Sequence, residues 1–500
     1  MWNNPRLCRI SEIFVVLLVV SLFFVPFAYG ASIDQQSAAE IMQDNKEGDF
    51  QLPVGLHPTD LECTIGVNHS STTTHTGSVL WKVRDISQDV CQIVKHYQGD
   101  TYGFIAVVHW LGEEHNYIGM GLNEAGVAVG NSVVQVDYPS LENNLLRMHY
   151  ILGSYGNLDQ IRTFIQAGVN QEMYGMGGCF PFIDNYGNAT MFELDASRAA
   201  FWEYDTLAPA RASQGLLGFV VRANEFHEQE LGMDDTRIKG RYLSGTLNTL
   251  GLIGADEFNE QSVVQGGNND EYRLIRYSDN PWPISSNGSQ SAMAVRGAAP
   301  GEDPALATMW AALGNPSYTI AVPTWAKVSD IPSPIATCDM YDAVYSLYRT
   351  GKIKEEWVQA SVIPAEAHLF DMVNNRILPY WREVGPPAIS EMTRIEHQMA
   401  QDAYSVVYYL ANTGFSNLAP GVDFDYQQRA RFKYMFVAKA IDADGSIASY
   451  LWNFGDGTTS TKVAPVHEFP GAGVYLVSVT TADDDAVTTT AWRYITVGGN

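Results

Sequence analysis

The chain has 500 residues and a formal charge of −26, with 46% hydrophobic and 12% aromatic residues. That length exceeds one ordinary domain, and the apolar content is ample for a large core. The acidic balance excludes nucleic acid and anionic membrane surfaces as partners, because polyphosphate would be repelled.

At the start of the chain, Arg6 and Arg9 precede an apolar run from Ile13 to Phe27, followed by the small-residue site Ala28-Tyr29-Gly30. This pattern predicts a signal peptide over 1–30, cut before Ala31, and hence an exported protein that touches membrane only through that segment. The polar stretch 31–62 reads as a pro-segment. Beyond the signal the cysteines are Cys63, Cys91, Cys179 and Cys338, so if Cys63 is a free thiol at most one intramolecular disulfide forms.

Leu61-Glu62-Cys63-Thr64-Ile65-Gly66-Val67 places a cysteine at the mouth of an apolar run. A second run, Gly77 to Val83, ends in the charged residues Lys82, Arg84 and Asp85. A thiol needs a base, and a free α-amine on the same residue supplies one, with a pKa of about 7.7 to 8.0 beside a thiol near 8.5. Cys63 is therefore read as a nucleophile that becomes a new N-terminus once its own attack cuts Glu62-Cys63.

From there to about Val134 the pattern is β, with runs at 102–111, 117–122 and 127–134 and a turn at Asn123-Glu124-Ala125-Gly126. Glu124 belongs to that turn, and Asn131 falls at a strand end. Spacings of three and four predict helices over 141–153 and 158–167. Strands are expected at 179–183, 190–194, 199–204 and 216–221, then a helix over about 235–250. A strand at 319–322 is ended by Pro323, and helices over 340–349, 355–375 and 389–411 close the unit. Strands and helices in this order suggest two stacked sheets with helices packed outside.

The motifs Cys63-Thr64, Lys82-Val83-Arg84-Asp85, Gly121 to Val127 leading to Asn131, Arg222-Ala223-Asn224 and the pair Arg237/Arg241 stand in a suggestive order. Together they resemble the N-terminal nucleophile (Ntn) hydrolases of the choloylglycine hydrolase and isopenicillin N acyltransferase-like group, over roughly Cys63 to Ile335. The resemblance implies an α+β fold, a four-layer αββα sandwich, and hydrolysis or acyl transfer at a linear amide C–N bond of a small N-acyl substrate through a thioester. It implies Cys63 as nucleophile, Asp85 holding its amine, and Asn224 with Asn131 as oxyanion donors.

The group's usual spacing puts an arginine where this chain has Lys82. Either Lys82 or Arg84 could act on the thiol; Arg84 is favoured as the catalytic cation, Lys82 is kept for substrate binding, and the two are expected on opposite sides of their strand. Arg237 would belong to the catalytic set and Arg241 to substrate binding. No metal or organic cofactor is implied. A related cysteine dipeptidase and a non-catalytic surface-binding protein are the alternative readings.

A catalytic unit over 63–411 is followed by an Asn-, Gly-, Ser- and Pro-bearing linker at 412–421. Beyond it the hydrophobic period changes to two, with strands at 432–438, 449–454, 473–480 and 491–497. Tyr450-Leu451-Trp452-Asn453-Phe454-Gly455-Asp456-Gly457 and His467-Glu468-Phe469 closely resemble a PKD domain, an Ig-like all-β sandwich over 422–500. The resemblance implies a spacing or adhesive module, with a cell-surface or extracellular polymer as its partner and His467 a structural residue.

Overall fold

The computed structural model describes residues 61–86, 89–110, 117–134, 141–168, 176–206, 218–225, 241, 245–246, 248–249, 258–265, 275–276, 284–285 and 288–498. The signal segment, the pro-segment up to residue 60, Arg237 and most of the helix expected over 235–250 lie outside these residues.

The chain runs through β1 (Leu61–Asn68), β2 (Val79–Ile86), β3 (Gln92–Gln98), β4 (Gly103–His109), β5 (Tyr117–Asn123) and β6 (Ala128–Gly130). Helices α1 (Leu141–Ser154) and α2 (Leu158–Gly168) follow, then β7 (Gly177–Ile183), β8 (Ala189–Asp195), β9 (Ala200–Asp205) and β10 (Phe219–Arg222). After β11 (Ser289–Arg296), β12 (Thr308–Leu313) and β13 (Val322–Thr324) come the helices α3 (Asp339–Thr350), α4 (Glu355–Asp371) and α5 (Ile389–Thr413). One antiparallel sheet has the order β10-β1-β2-β11-β12-β13, and the other runs β3 to β9 in sequence order.

The pleat divides each sheet between two neighbours. Along β4, Phe104 meets His149 of α1 with ring centroids 4.9 Å apart. Ile105 and Val107, on the other face, join a core that includes Ile65 and Val67 of β1. On the far side of the first sheet, Trp310 of β12 stacks on Phe370 of α4 at 3.7 Å. The two sheets thus share an interior, and helices cover their outer faces.

Two strand boundaries differ from the sequence reading. The strand ended by Pro323 is instead β13, which contains it. β13 is an edge strand paired only with β12, so the missing N–H of proline breaks no ladder. The stretch expected to be strand to Val134 keeps only β6, and Ser132 continues as a single bridge to Cys179. The turn before β6 matches its expectation: Gly126 has φ 84°, and the Glu124 carboxylate accepts from the N–H of Gly103 at 2.9 Å. One disulfide, Cys91–Cys338, ties the start of β3 to the start of α3, and Cys63 and Cys179 are free.

Helix α5 runs on to Thr413 and stops at Gly414, φ 73°, while the next strand starts at Gly421. The irregular connection therefore spans 414–420, narrower than the 412–421 expected from composition. The C-terminal part comprises β14 (Gly421–Ala430), β15 (Lys433–Ile441), β16 (Ile447–Asn453), β17 (Thr459–Ser460), β18 (Val466–Glu468), β19 (Gly473–Asp483) and β20 (Thr488–Val497). They form a three-stranded sheet, β14-β15-β18, facing a four-stranded one, β17-β16-β19-β20. Trp452 and Phe454 are buried between them, and His467 stacks on Phe454 while its Nε2 meets Asp456 at 2.7 Å.

This sandwich is fastened to the rest of the chain. The Tyr494 hydroxyl accepts from Trp381 Nε1 at 2.6 Å and donates to Glu391 at 2.9 Å, and Thr488 donates to Asp402 at 2.7 Å. Trp492 is buried in the main core, with the Arg394 guanidinium 4.9 Å from its ring centroid. Trp492→Ala is expected to destabilise the protein by about 3–5 kcal/mol, the usual cost of emptying a buried aromatic site. Denaturant unfolding of the full chain measures it; a loss under about 1 kcal/mol would mean that the sandwich is only loosely docked.

Candidate active site

In the register of β1 against β2, Cys63 stands opposite Arg84 and Ile65 opposite Lys82. Residues two apart on a strand share a face, so Cys63, Lys82 and Arg84 all point into the space between the sheets. The expectation that Lys82 and Arg84 face opposite sides is therefore wrong, and it is Asp85 that lies on the other face. There its carboxylate accepts from Ser289 Oγ at 2.5 Å and pairs with Arg241 at 2.6 Å. Arg241, expected on the substrate, is buried and engaged with Asp85.

Cys63 is 4% exposed, and the side chain of Lys82, on the same inward face of the neighbouring strand, lies within its field. Lys82 Nζ donates to Gly119 O at 3.1 Å, to Asn131 O at 2.5 Å and to Asn131 Oδ1 at 2.7 Å. Complete burial pulls its pKa down to about 7, with the neighbouring Arg84 charge adding to the drop and Cys63 opposing it. Arg84 is lowered by burial to about 10, so it stays a cation at neutral pH. His109, buried at the end of β4 and facing Arg84 and Lys82, is held well below its ordinary range and is neutral.

Room for Arg84 comes from a β-bulge. The pairing of β4 with β5 shifts between Val107/Met120 and Val108/Ile118, which leaves Gly119 as the extra residue. A Cβ on Gly119 would lie 1.7 Å from Arg84 Nη1, so only glycine fits there. Arg84 Nη1, Asn131 Nδ2 and His109 Nε2 are buried without hydrogen-bond partners.

The backbone N–H of Cys63 is held by Asn224, whose Oδ1 accepts it at 2.7 Å. Asn224 has φ 63°, a left-handed conformation that asparagine tolerates better than most side chains. Its own N–H donates to Ser132 Oγ at 3.0 Å, its Nδ2 donates to Val133 O at 2.6 Å, and Ser132 Oγ donates to Cys63 O at 3.5 Å. The structure thus gathers Cys63, Lys82, Arg84, Asn131 and Asn224 in one buried cluster and leaves Asp85 and Arg241 behind β2. Sequence reasoning missed Ser132 and His109; Ser132 follows Asn131 directly, but nothing local marks His109, which arrives from another strand.

A second polar group lies beside Asn224. Arg222 Nε pairs with Glu193 at 2.6 Å, both buried, and Cys179 Sγ donates to Glu225 O at 3.0 Å. Burial raises the Cys179 thiol well above its ordinary value and pushes Glu225 up to about 8, although Glu225 Oε2 accepts the Ala223 N–H. A carboxyl raised in the folded state stabilises fully below its unfolded pKa of about 4.3, and loses that contribution as pH rises through the folded value. Glu225→Gln is therefore expected to gain on the wild type between pH 5 and 8, by up to about 1.4 kcal/mol per pH unit. Parallel thermal melts over that range measure it, and a constant difference would contradict the buried neutral acid. Among the described residues, no group of three or more His, Cys, Asp or Glu side chains is placed to hold a metal ion.

Over its larger part the chain is similar to a conjugated bile acid hydrolase from Clostridium perfringens, solved in a mutant form, at 8% identity, covering 56% of this chain and 94% of that one with a TM-score of 0.32. A likeness of that size is too slight to bear on fold or activity. Residues 418–497 match the family model of the PKD domain. That region is 38% identical over 87 residues to the pre-pro-metalloprotease PrtV of Vibrio cholerae, spanning 17% of this chain and 9% of PrtV. It is also 42% identical over 62 residues to a microbial collagenase of Vibrio alginolyticus, spanning 12% and 8%. This chain therefore covers less than a tenth of the curated relatives it matches. A PKD domain of Vibrio anguillarum Epp is 33% identical and covers 17% of this chain and all of that structure, with a TM-score of 0.17. The C-terminal module is a PKD domain.

Proposed function

We propose that this chain is an exported cysteine amidase of the Ntn type that cuts itself before Cys63 and then opens a linear amide or N-acyl C–N bond through a thioester on that residue. The observation that carries the reading is the surroundings of the thiol: Lys82 and Arg84 on the same inward face and within its field, and buried unpartnered donors on Arg84 and Asn131. Such donors suit the oxyanion that forms when a thiolate adds to a carbonyl. Two antiparallel sheets sharing an interior, with helices outside, support the αββα reading.

In the uncut chain β1 begins two residues before Cys63, at Leu61, with Glu62 opposite Asp85. Cleavage at Glu62-Cys63 would leave the sulfur and a primary amine on one terminal residue, beside Asn224. The PKD domain, kin to modules of a metalloprotease and collagenases, would hold the enzyme on an extracellular polymer, which also fits export.

The test pairs intact-mass spectrometry of the mature protein with a panel of N-acyl amino acids, penicillin V and dipeptides. A new N-terminus at Cys63 and turnover of N-acyl substrates are expected. Full activity in a protein that keeps residues 31–62 would overturn the processing step, and dipeptide turnover alone would move the enzyme to the dipeptidases.

A further inference from the structure

We infer that Lys82 is the base that takes the thiol proton of Cys63 while the chain is still uncut. The inference rests on the self-cleavage reading above and answers a question that reading leaves open. Before cleavage the nitrogen of Cys63 is an amide, which has no basic lone pair and donates its hydrogen to Asn224 Oδ1 at 2.7 Å. The amine that would serve the mature enzyme does not yet exist, so another group must accept the first proton.

The charged and titratable groups facing the Lys82 amine are few. Arg84 beside it on β2 remains a cation, and a guanidinium does not act as a base near neutral pH. His109 of β4 faces the Arg84 and Lys82 charges. Asp85 lies on the opposite face of β2 with Ser289 and Arg241, and reaches Lys82 only as a charge at longer range. Lys82 stands one strand over from Cys63 on the same inward face, close enough to act on the thiol.

Its hydrogen bonds fit both protonation states. Gly119 O, Asn131 O and Asn131 Oδ1 bond Nζ, as many partners as an ammonium has N–H bonds, and the Cys63 thiol lies on the same face. As a neutral amine, Nζ gives its two N–H bonds to two of the three oxygens and turns its lone pair to the S–H. After transfer, the ammonium keeps those carbonyls and donates its third N–H to the thiolate. In either state one of the three oxygens gives up its bond while the other two hold Nζ in place. Burial has already lowered the lysine to about 7, near the operating pH that suits a general base. An arginine here, which the resemblance would lead one to expect, could neutralise a thiolate but not generate one.

The step balances without a co-reactant other than water. The proton leaves Sγ for Nζ, and the thiolate adds to the carbonyl carbon of Glu62. The C–N bond of Glu62-Cys63 then breaks as Nζ returns the proton to the departing nitrogen. A thioester and a free α-amine result, and water hydrolyses the thioester to the Glu62 carboxylate and the Cys63 thiol.

The experiment follows self-cleavage of the full chain, made by cell-free synthesis at pH 5.5, after shifts to pH 6 to 9, with intact mass as the readout. Wild-type cleavage should accelerate through an inflection near neutral pH. Lys82→Arg, which keeps the charge, should slow it by about a hundredfold or more and abolish the inflection, since a positioned base is typically worth that much. Lys82→Ala should recover part of the rate with added ethylamine. Cleavage of Lys82→Arg at the wild-type rate with the wild-type profile would overturn the inference.

Thermal melts identify any variant that fails to fold. Should the wild type itself stay uncut, the self-cleavage reading fails, and alkylation of Cys63 by iodoacetamide, mapped by peptide mass, still decides the proton exchange. Lys82→Met must then displace the pH midpoint of alkylation upward by a unit or more, and an unmoved midpoint would overturn the role of Lys82.

Discussion

A Cys63→Ala chain is expected to remain joined at Glu62-Cys63 and to lose amidase turnover by about a thousandfold or more, the scale seen when a covalent nucleophile is removed. Under the proposed function two separate events fail together, because one sulfur would perform both. The substitution should leave the fold intact: Cys63 sits within β1, alanine suits an inward strand position, and the loss is one buried sulfur. Unfolding and activity therefore separate cleanly. A full-length, well-folded and inactive protein is the expected result, measured by intact mass, a thermal melt and the substrate panel. Turnover within tenfold of the wild type would remove Cys63 from the chemistry.

Asn224→Gly is the second large effect. Alanine would be a poor probe, because the position has φ 63° and a Cβ without the asparagine amide is strained there. Glycine keeps the backbone and deletes only the amide, which holds the Cys63 nitrogen and carries N–H donors close to it. An oxyanion donor contributes about a hundredfold to a thousandfold to kcat, so kcat should fall by that factor while KM changes little. If KM rises and kcat holds, Asn224 binds substrate in the ground state instead, and the oxyanion role passes to Asn131.

Much of the architecture was legible because it is local. The apolar run at 117–122 marks a strand and the three-four spacing in 141–153 a helix from near neighbours alone, and both became the elements expected. The PKD module was readable from one short motif, since Trp452, Phe454 and the Gly455-Asp456-Gly457 turn, with φ 78° and 88° at the glycines, recur as a unit. Strands such as β3, Gln92–Gln98, and β14, Gly421–Ala430, were not named, because charged and amide side chains fill their exposed positions and blur the alternation.

The site was legible only in part. Cys63, Asn131 and Asn224 stood out by motif, and the structure brings them together from β1, from the segment after β6 and from the end of β10. The division of labour among the charges did not stand out. Sequence favoured Arg84 over Lys82, placed them on opposite sides and gave Asp85 the amine, whereas both cations share the thiol's face and Asp85 is taken by Ser289 and Arg241.

By itself, then, the amino-acid order determined most of the strands and helices, the thiol at the head of β1 and the PKD sandwich, because each depends on side chains only a few positions apart. Which cation meets the sulfur depended on the β1–β2 register, on the bulge at Gly119 that admits Arg84, and on carbonyls delivered from β5 and from Asn131 after β6. Tertiary structure alone also decided that the PKD sandwich is fastened to α5. A linker composition carries no record of a surface such as Trp492 and Tyr494, whose partners lie about a hundred residues away.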